Sequence, residues 1–202
     1  MKPTALILVI AFASALGQAH SDSWNQFRGP NGSGVAKDSR PPIKLDDAQL
    51  AWKATLPPGL SSPVLSGKRV FLTGLAKGRL VTIAINKADG KIAWQNQAPK
   101  VELEKVHKAS HPAVPSMLVD DDRVFAYFGS DGLLCYNLDG KKSWGWNAQE
   151  RYGDFNCQFG YGSSPLLSNG KLFIQVLHRD SRYKDLEKVG KFTRESYLLA
   201  ID

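Results

Sequence analysis

"RLVTIAINKADGKIAW", residues 79–94, reads as two β-strands around a reversal, and "GLLCYNLDGKKSW", residues 132–144, repeats it. In each, an apolar run ends in Asn (Asn86, Asn137), an Asp-Gly pair turns the chain (Asp89-Gly90, Asp139-Gly140), and a Trp stands in the returning strand (Trp94, Trp144). Asp-Gly suits such a turn because glycine takes positive φ without steric cost. A hairpin precedes each: "SSPVLSGKRVFLTG" from Ser61 and "VPSMLVDDDRVFAYFG" from Val114, with a third copy, "GSSPLLSNGKLFIQV", from Gly162. Their turns fall at Ser66-Gly67, Asp120 to Asp122 and Asn169-Gly170, and Pro63, Pro115 and Pro165 align the copies at a spacing of about fifty residues. Four antiparallel strands per repeat, none able to bury both faces alone, are the pattern of β-propeller blades stacked around an axis. The fold class expected is all-β: a propeller of four-stranded antiparallel blades, about three of them in this chain.

The blades are expected at 61–97, 114–148 and 162–202. The last stops on "SYLLAID", residues 196–202, where Ala200-Ile201-Asp202 aligns with Ala84-Ile85-Asn86 and Cys135-Tyr136-Asn137 at the end of a third strand. That places the end of the sequence inside its third blade, with further C-terminal blades expected to complete the ring. Such a piece leaves broad apolar sides open, so the 202-residue chain alone is expected to behave poorly. Upstream, "LAWKATLP", residues 50–57, resembles a lone fourth strand carrying Trp52, as if it closed a last blade. Residues 20–49, rich in Gly, Pro and polar groups, read as an extended N-terminal segment. Helical periodicity is absent except for a short turn at 101–105, and the charged stretch 179–195 reads as a solvated excursion between the second and third strands of the last blade.

Composition bounds the function classes. A chain with 43% hydrophobic and 22% charged residues is globular, and its net charge of +7 is spread along the sequence without a basic run, which argues for a soluble basic surface and against nucleic acid. Residues 1–19, a Lys2, an apolar stretch from Ala5 to Leu16 and then small residues, form a secretory signal peptide with cleavage after Gly17 or Ala19. About twelve apolar residues fall short of the ~20 that span a bilayer. No cysteine stands near the cleavage region to bear a lipid, so the mature protein is expected in the periplasm or outside the cell. Cys135 and Cys157 could pair in that compartment, or Cys135 could be a small buried hydrophobe.

The repeats ending "INKADGKIAW" and "YNLDGKKSW" resemble the pyrroloquinoline-quinone-type (PQQ) repeat of quinoprotein-like β-propellers. "SWNQFRGPNGSGVA" from Ser23, "HPAVPSMLVDDDRVFAYFGSDGLLCYNLDG" from His111 and "FGYGSSPLL" from Phe159 are similar to exported planctomycete-type members of that group. The resemblance runs from about Trp24 to the last residue. It implies seven or eight blades, with Trp94 and Trp144, and Trp52 before them, as packing anchors between neighbouring blades and Gly90 and Gly140 as structural turn residues.

Quinoprotein dehydrogenases in this superfamily hold PQQ beside a calcium ion, with adjacent cysteines over one ring face and a carboxylate as base. This chain has no adjacent cysteine pair and no obvious set of hard oxygen ligands. Neither a cofactor nor a catalytic residue is therefore assigned, PQQ with calcium remaining the alternative. His107 and His111 lie four apart in the connection between the first two blades, but Pro112 and Pro115 oppose the helix that would aim both at a metal, so they are weak ligand candidates. "ERYGDFNCQFGYGSSP", residues 150–165, gathers Arg151, Asp154, Asn156 and Tyr161, side chains suited to a sugar or peptide, while Gly160 and Gly162 could instead shape a tight turn over a buried Phe159. The first expectation is a non-catalytic scaffold for a protein or ligand, resembling the outer-membrane protein assembly propeller. The alternatives are a quinone-dependent dehydrogenase whose decisive residues lie in other blades, and a carbohydrate-binding propeller.

Overall fold

A computed structural model describes residues 24–37, 39–152, 155, 157, 159–177 and 196–202. The leader expected at 1–19 and the excursion at 179–195 lie outside the described residues, as do Asp154 and Asn156.

Three antiparallel sheets follow one another. The first is β1 (Val64–Ser66), β2 (Arg69–Ala76), β3 (Arg79–Asn86) and β4 (Ile92–Gln97), hydrogen-bonded in chain order. The second repeats it with β5 (Leu118–Val119), β6 (Arg123–Phe128), β7 (Gly132–Asn137) and β8 (Lys142–Trp146). The third holds β9 (Leu166–Ser168), β10 (Lys171–Val176) and β11 (Tyr197–Ile201). These are meandering propeller blades.

The three copies superimpose through their ladders. Phe71 faces Ala84, Phe125 faces Cys135 and Phe173 faces Ala200, so the C-terminal strand occupies the register read for it in the sequence. The same register corrects one alignment. Val64, Leu118 and Leu166 pair with those three phenylalanines, which makes Met117, and not Pro115, the counterpart of Pro63 and Pro165. A Pro marks the approach to an inner strand, but its position shifts by two residues in the second copy.

Alternation along each strand divides its side chains between two seams. Phe71, Leu80 and Ala84 pack against Val124, Ala126, Leu134 and Tyr136 in the seam between the first and second sheets. Phe125, Tyr127, Leu133 and Cys135 face Leu172 and Ile174 of the third sheet. The other side of the first sheet, Val70, Ile83 and Ile85, is covered by Trp52 and Leu56. Each buried Leu, Ile or Phe contributes about 1.5–3 kcal/mol, so the seams, more than any one blade, hold the chain together.

The tryptophans stitch the blades. The Trp94 indole of β4 lies between Phe71 at 6.0 Å and Tyr136 at 5.9 Å and donates Nε1–H to the Leu138 carbonyl of the next blade at 2.9 Å. Beneath it is Gly140, whose φ of 86° requires glycine and whose missing side chain leaves the room. Trp52 repeats this one blade earlier, donating to Lys87 O at 2.8 Å and lying over Gly90. Trp144 lies tilted against Phe125, centroids 6.0 Å apart, and is 39% exposed.

Residues 50–57 do not form the strand expected of them. Among the described residues no strand lies alongside to form a ladder, so the segment stays extended and is held through Trp52, Leu56 and the Pro58 carbonyl, which accepts from Leu75 N at 2.7 Å. The N-terminal segment is less extended than its composition implied. It contains 3-10 turns at Pro30–Gly32 and Asp47–Gln49, the second closed by Asp46 and Gln49 as a capping box. Residues 101–105 are not helical; the only helix longer than a 3-10 turn among the described residues is α1 (Ala148–Tyr152), capped by Asn147 Oδ1, which accepts from Gln149 N at 2.9 Å.

Two further devices cross from blade to blade near the inner strands. Trp24 O accepts from Leu65 N of β1 and Asn25 O from Val119 N of β5, both at 2.8 Å, while Asn25 Nδ2 returns a bond to Val119 O, so one short segment spans two inner edges. Ser62 N donates to Ser116 Oγ at 3.0 Å, and Ser116 N donates to Ser164 Oγ at 2.9 Å. The three serines hold equivalent positions, so the bond repeats once per blade.

Candidate functional site

The β6–β7 turn, the connection between the first two blades and the segment leading into β9 meet on one rim. Glu104 is the hub. Its amide donates to Ser130 Oγ at 2.9 Å, and its Oε2 accepts from Tyr161 N at 3.0 Å, so a residue between blades one and two clasps the start of the third. Gly129 permits this approach: a Cβ there would lie 2.5 Å from that of Tyr161 and 2.7 Å from Glu104 Oε1. Burial pushes the Glu104 carboxyl above its ordinary range against the opposing Tyr161 bond. Gln149 completes the rim, donating to Gly129 O at 2.7 Å and accepting from Phe155 N at 2.9 Å.

Tyr161 is a core residue and not the exposed ligand contact expected. It is 2% exposed, its hydroxyl donates to Gln175 O, and its ring meets Tyr127 edge-on at 4.9 Å. Burial raises both phenol pKa values, so neither ring is poised to ionise. Phe159 does the opposite: it is 49% exposed and its ring lies tilted against His107, centroids 4.9 Å apart, instead of filling the core. Gly160, with φ 81°, makes the turn that exchanges these two rings, and Val106 fills the place of its absent side chain. Arg151 sits on α1 with its guanidinium 5.7 Å from the Trp146 ring centre, exposed and free of any ion pair among the described residues. Of the two ligand candidates among the described residues, Arg151 is on the surface and Tyr161 is inside.

His107 and His111 each use Nδ1 to accept the amide two residues on, Ala109 N and Ala113 N, both at 3.1 Å. They shape their own turns, and burial holds His111 below the usual histidine range. Among the described residues no three His, Cys, Asp or Glu side chains converge as metal ligands. The cysteines are not bridged: Cys135 is buried in β7, where burial pushes its thiol pKa up, and the Cys157 thiol points to Leu177 O at 3.5 Å.

Sequence reading missed Glu104 and Asp131. Asp131, in the β6–β7 turn, is 4% exposed and burial pushes its carboxyl up to about 6 against the opposing charges of Lys142 and Arg79. Its signal was "GSDG", a carboxylate between glycines in a turn too tight to swing it outward; Glu104 lay in an alternating "VELEK" that gave no signal.

Among the described residues, this rim does not supply a site for the PQQ and calcium that the sequence resemblance implies. Calcium takes six to eight oxygen ligands, whereas the Glu104 carboxylate is turned onto a backbone amide and the two cysteines are not adjacent in sequence. The buried acids and phenols of the rim hold loops together.

The family model described as outer membrane protein assembly factor BamB matches residues 34–177. No curated protein matches. Among solved structures, the quinohemoprotein alcohol dehydrogenase ADHIIG from Pseudomonas putida HK5 aligns at 18% identity with TM-score 0.52, over 76% of this chain and 22% of that one. A europium-containing methanol dehydrogenase aligns at 16% identity and TM-score 0.43, over 61% of this chain and 21% of that one, too loosely to argue from. The chain thus spans about a fifth of the length of these two structures, and at 18% identity the likeness to the alcohol dehydrogenase shows the propeller fold alone.

Proposed function

This chain belongs to the PQQ_2 family, whose model is described as outer membrane protein assembly factor BamB, and from that membership we propose that it is an exported, non-catalytic propeller scaffold that binds a protein partner. The observation that carries the reading is where the rim's polar side chains go. Glu104, Gln149, Tyr161, His107 and His111 all hydrogen-bond to backbone groups of the rim's own loops and strands. What faces solvent there is Phe159 and Arg151, an aromatic and a guanidinium of the kind enriched at protein interfaces. Export rests on the leader expected at 1–19; no described helix is long and apolar enough to cross a membrane.

Titration of the protein with PQQ and calcium tests the reading. The expected result is no quinone absorbance retained after gel filtration and no dye reduction with alcohols. Retained quinone with dye reduction overturns it in favour of a dehydrogenase, and a saturable hit on a glycan array overturns it in favour of carbohydrate binding. N-terminal sequencing of the protein from the periplasm of a Gram-negative host should give Gln18 or His20 as the first residue; an uncleaved Met1 refutes export by this leader.

A further inference from the structure

One group of buried charges is used neither by the rim nor by the seams. Asp131 is 4% exposed, yet its Oδ2 accepts no hydrogen bond. Arg79, at the start of β3 in the preceding blade, donates through Nη2 to Ala98 O, while its Nε is buried without an acceptor. The two side chains feel each other's charge, but no ion pair joins them. An unpaired charge in a packed seam is costly, and the cost falls when a carboxylate takes up a proton.

We propose that the seam between the first two blades is a proton-linked joint, in which Asp131 of the β6–β7 turn and Arg79 of β3 form an unfinished pair whose protonation sets how tightly the two sheets close. The groups facing Asp131 are Arg79 of β3, Lys142 of β8, Glu150 of α1 and Tyr136 of β7, whose ring belongs to the same seam. The two cations favour the carboxylate and Glu150 opposes it, but burial outweighs the cations and pushes Asp131 up to about 6. With the folded value raised above that of the unfolded chain, the stabilisation is complete at acid pH below the unfolded value and is lost as pH rises through about 6. Near neutrality the ionised carboxylate draws on Arg79 or on water and loosens the seam; in mild acid the seam closes.

Hydrogen exchange of the β3 and β7 amides between pH 5 and 7.5, corrected for intrinsic rates, tests the joint. The wild-type protection factors should fall by roughly tenfold or more across that range. Asp131→Asn, neutral at every pH, should remove most of the fall, the buried Glu104 carboxyl accounting for the remainder, and Asp139→Asn at the exposed β7–β8 turn should leave it in place. Carbon-13 titration of the Asp131 carboxyl in the wild-type protein should give a midpoint near 6. A midpoint near 4, a flat wild-type profile, an unchanged fall in Asp131→Asn, or loss of the fall in Asp139→Asn overturns the proposal. The titration decides it alone if Asp131→Asn does not fold.

Discussion

Replacing Gly140 by alanine should strike at the junction of two blades rather than at the turn that holds it. The residue has φ 86°, and a Cβ there would lie 2.6 Å from Trp94 Cδ2 and 2.7 Å from Cγ. Left-handed backbone costs a non-glycine residue about 1–2 kcal/mol. The clash adds more, because an ordinary contact needs nearly 1 Å beyond that separation and the indole must lift. Lifting it strains or breaks the bond from Nε1 to Leu138 O, about 1 kcal/mol, and unpacks part of a ring held between Phe71 and Tyr136, another 1–2 kcal/mol. The total is about 3–5 kcal/mol. Gly67→Ala supplies the control: its φ is 53° and nothing lies within 4 Å of the new methyl, so only the backbone cost of about 1–2 kcal/mol remains. Urea denaturation followed by circular dichroism measures both. In a Trp94→Ala background the two substitutions should cost the same, since the neighbour they differ in has gone. Equal costs in the wild-type background, or a difference that survives removal of Trp94, would refute the seating of Trp94 on Gly140 as the source of blade cohesion.

Other outcomes follow from the same contacts. Trp94→Ala should cost about 3–5 kcal/mol and Trp144→Ala about 1 kcal/mol, since Trp94 has aromatic neighbours on two sides and Trp144 is 39% exposed; thermal melts separate them. Ser116→Ala removes the acceptor for the Ser62 amide in a buried setting and should cost about 1–2 kcal/mol, with faster hydrogen exchange at Ser62; an unchanged Ser62 amide would show that the serine bond is dispensable. Maleimide labelling without denaturant should modify Cys157 alone, and with denaturant both thiols, whereas a bridged pair would take no label in either condition.

The elements legible in the sequence were those that repeat. Asp89-Gly90 and Asp139-Gly140 announced their turns because positive φ leaves little choice of residue, and the alternation of Val70 and Phe71 announced a sheet buried on both faces. The alignment slipped at Pro115 because a proline constrains only its own φ and its predecessor, leaving its distance from the strand free. The rim was harder. Tyr161 and Phe159 stand two apart in a glycine-rich stretch, and which ring turns inward depends on Gly160 and on Val106, far away in sequence. Glu104 becomes a hub only through Ser130 and Tyr161, contacts no local pattern encodes. The serine series could have been found, since "SPVL", "SMLV" and "SPLL" carry Ser at one register once the alignment is shifted by two.

The hand-over of tryptophans from blade to blade has a bearing on how such a chain can be lengthened or shortened. Trp52 rests on the Gly90 turn and Trp94 on the Gly140 turn, so each physical clasp takes one half from each of two successive repeats. The unit that a gene duplicates and the unit that coheres are therefore out of phase. Copying or deleting a whole period, wherever the cut falls, restores every clasp, whereas any other length leaves an indole without its turn or a turn without its indole. Selection on cohesion alone would then keep the period near fifty residues while the loops between repeats drift, and a substitution at a turn glycine would be answered in the strand of the repeat before it.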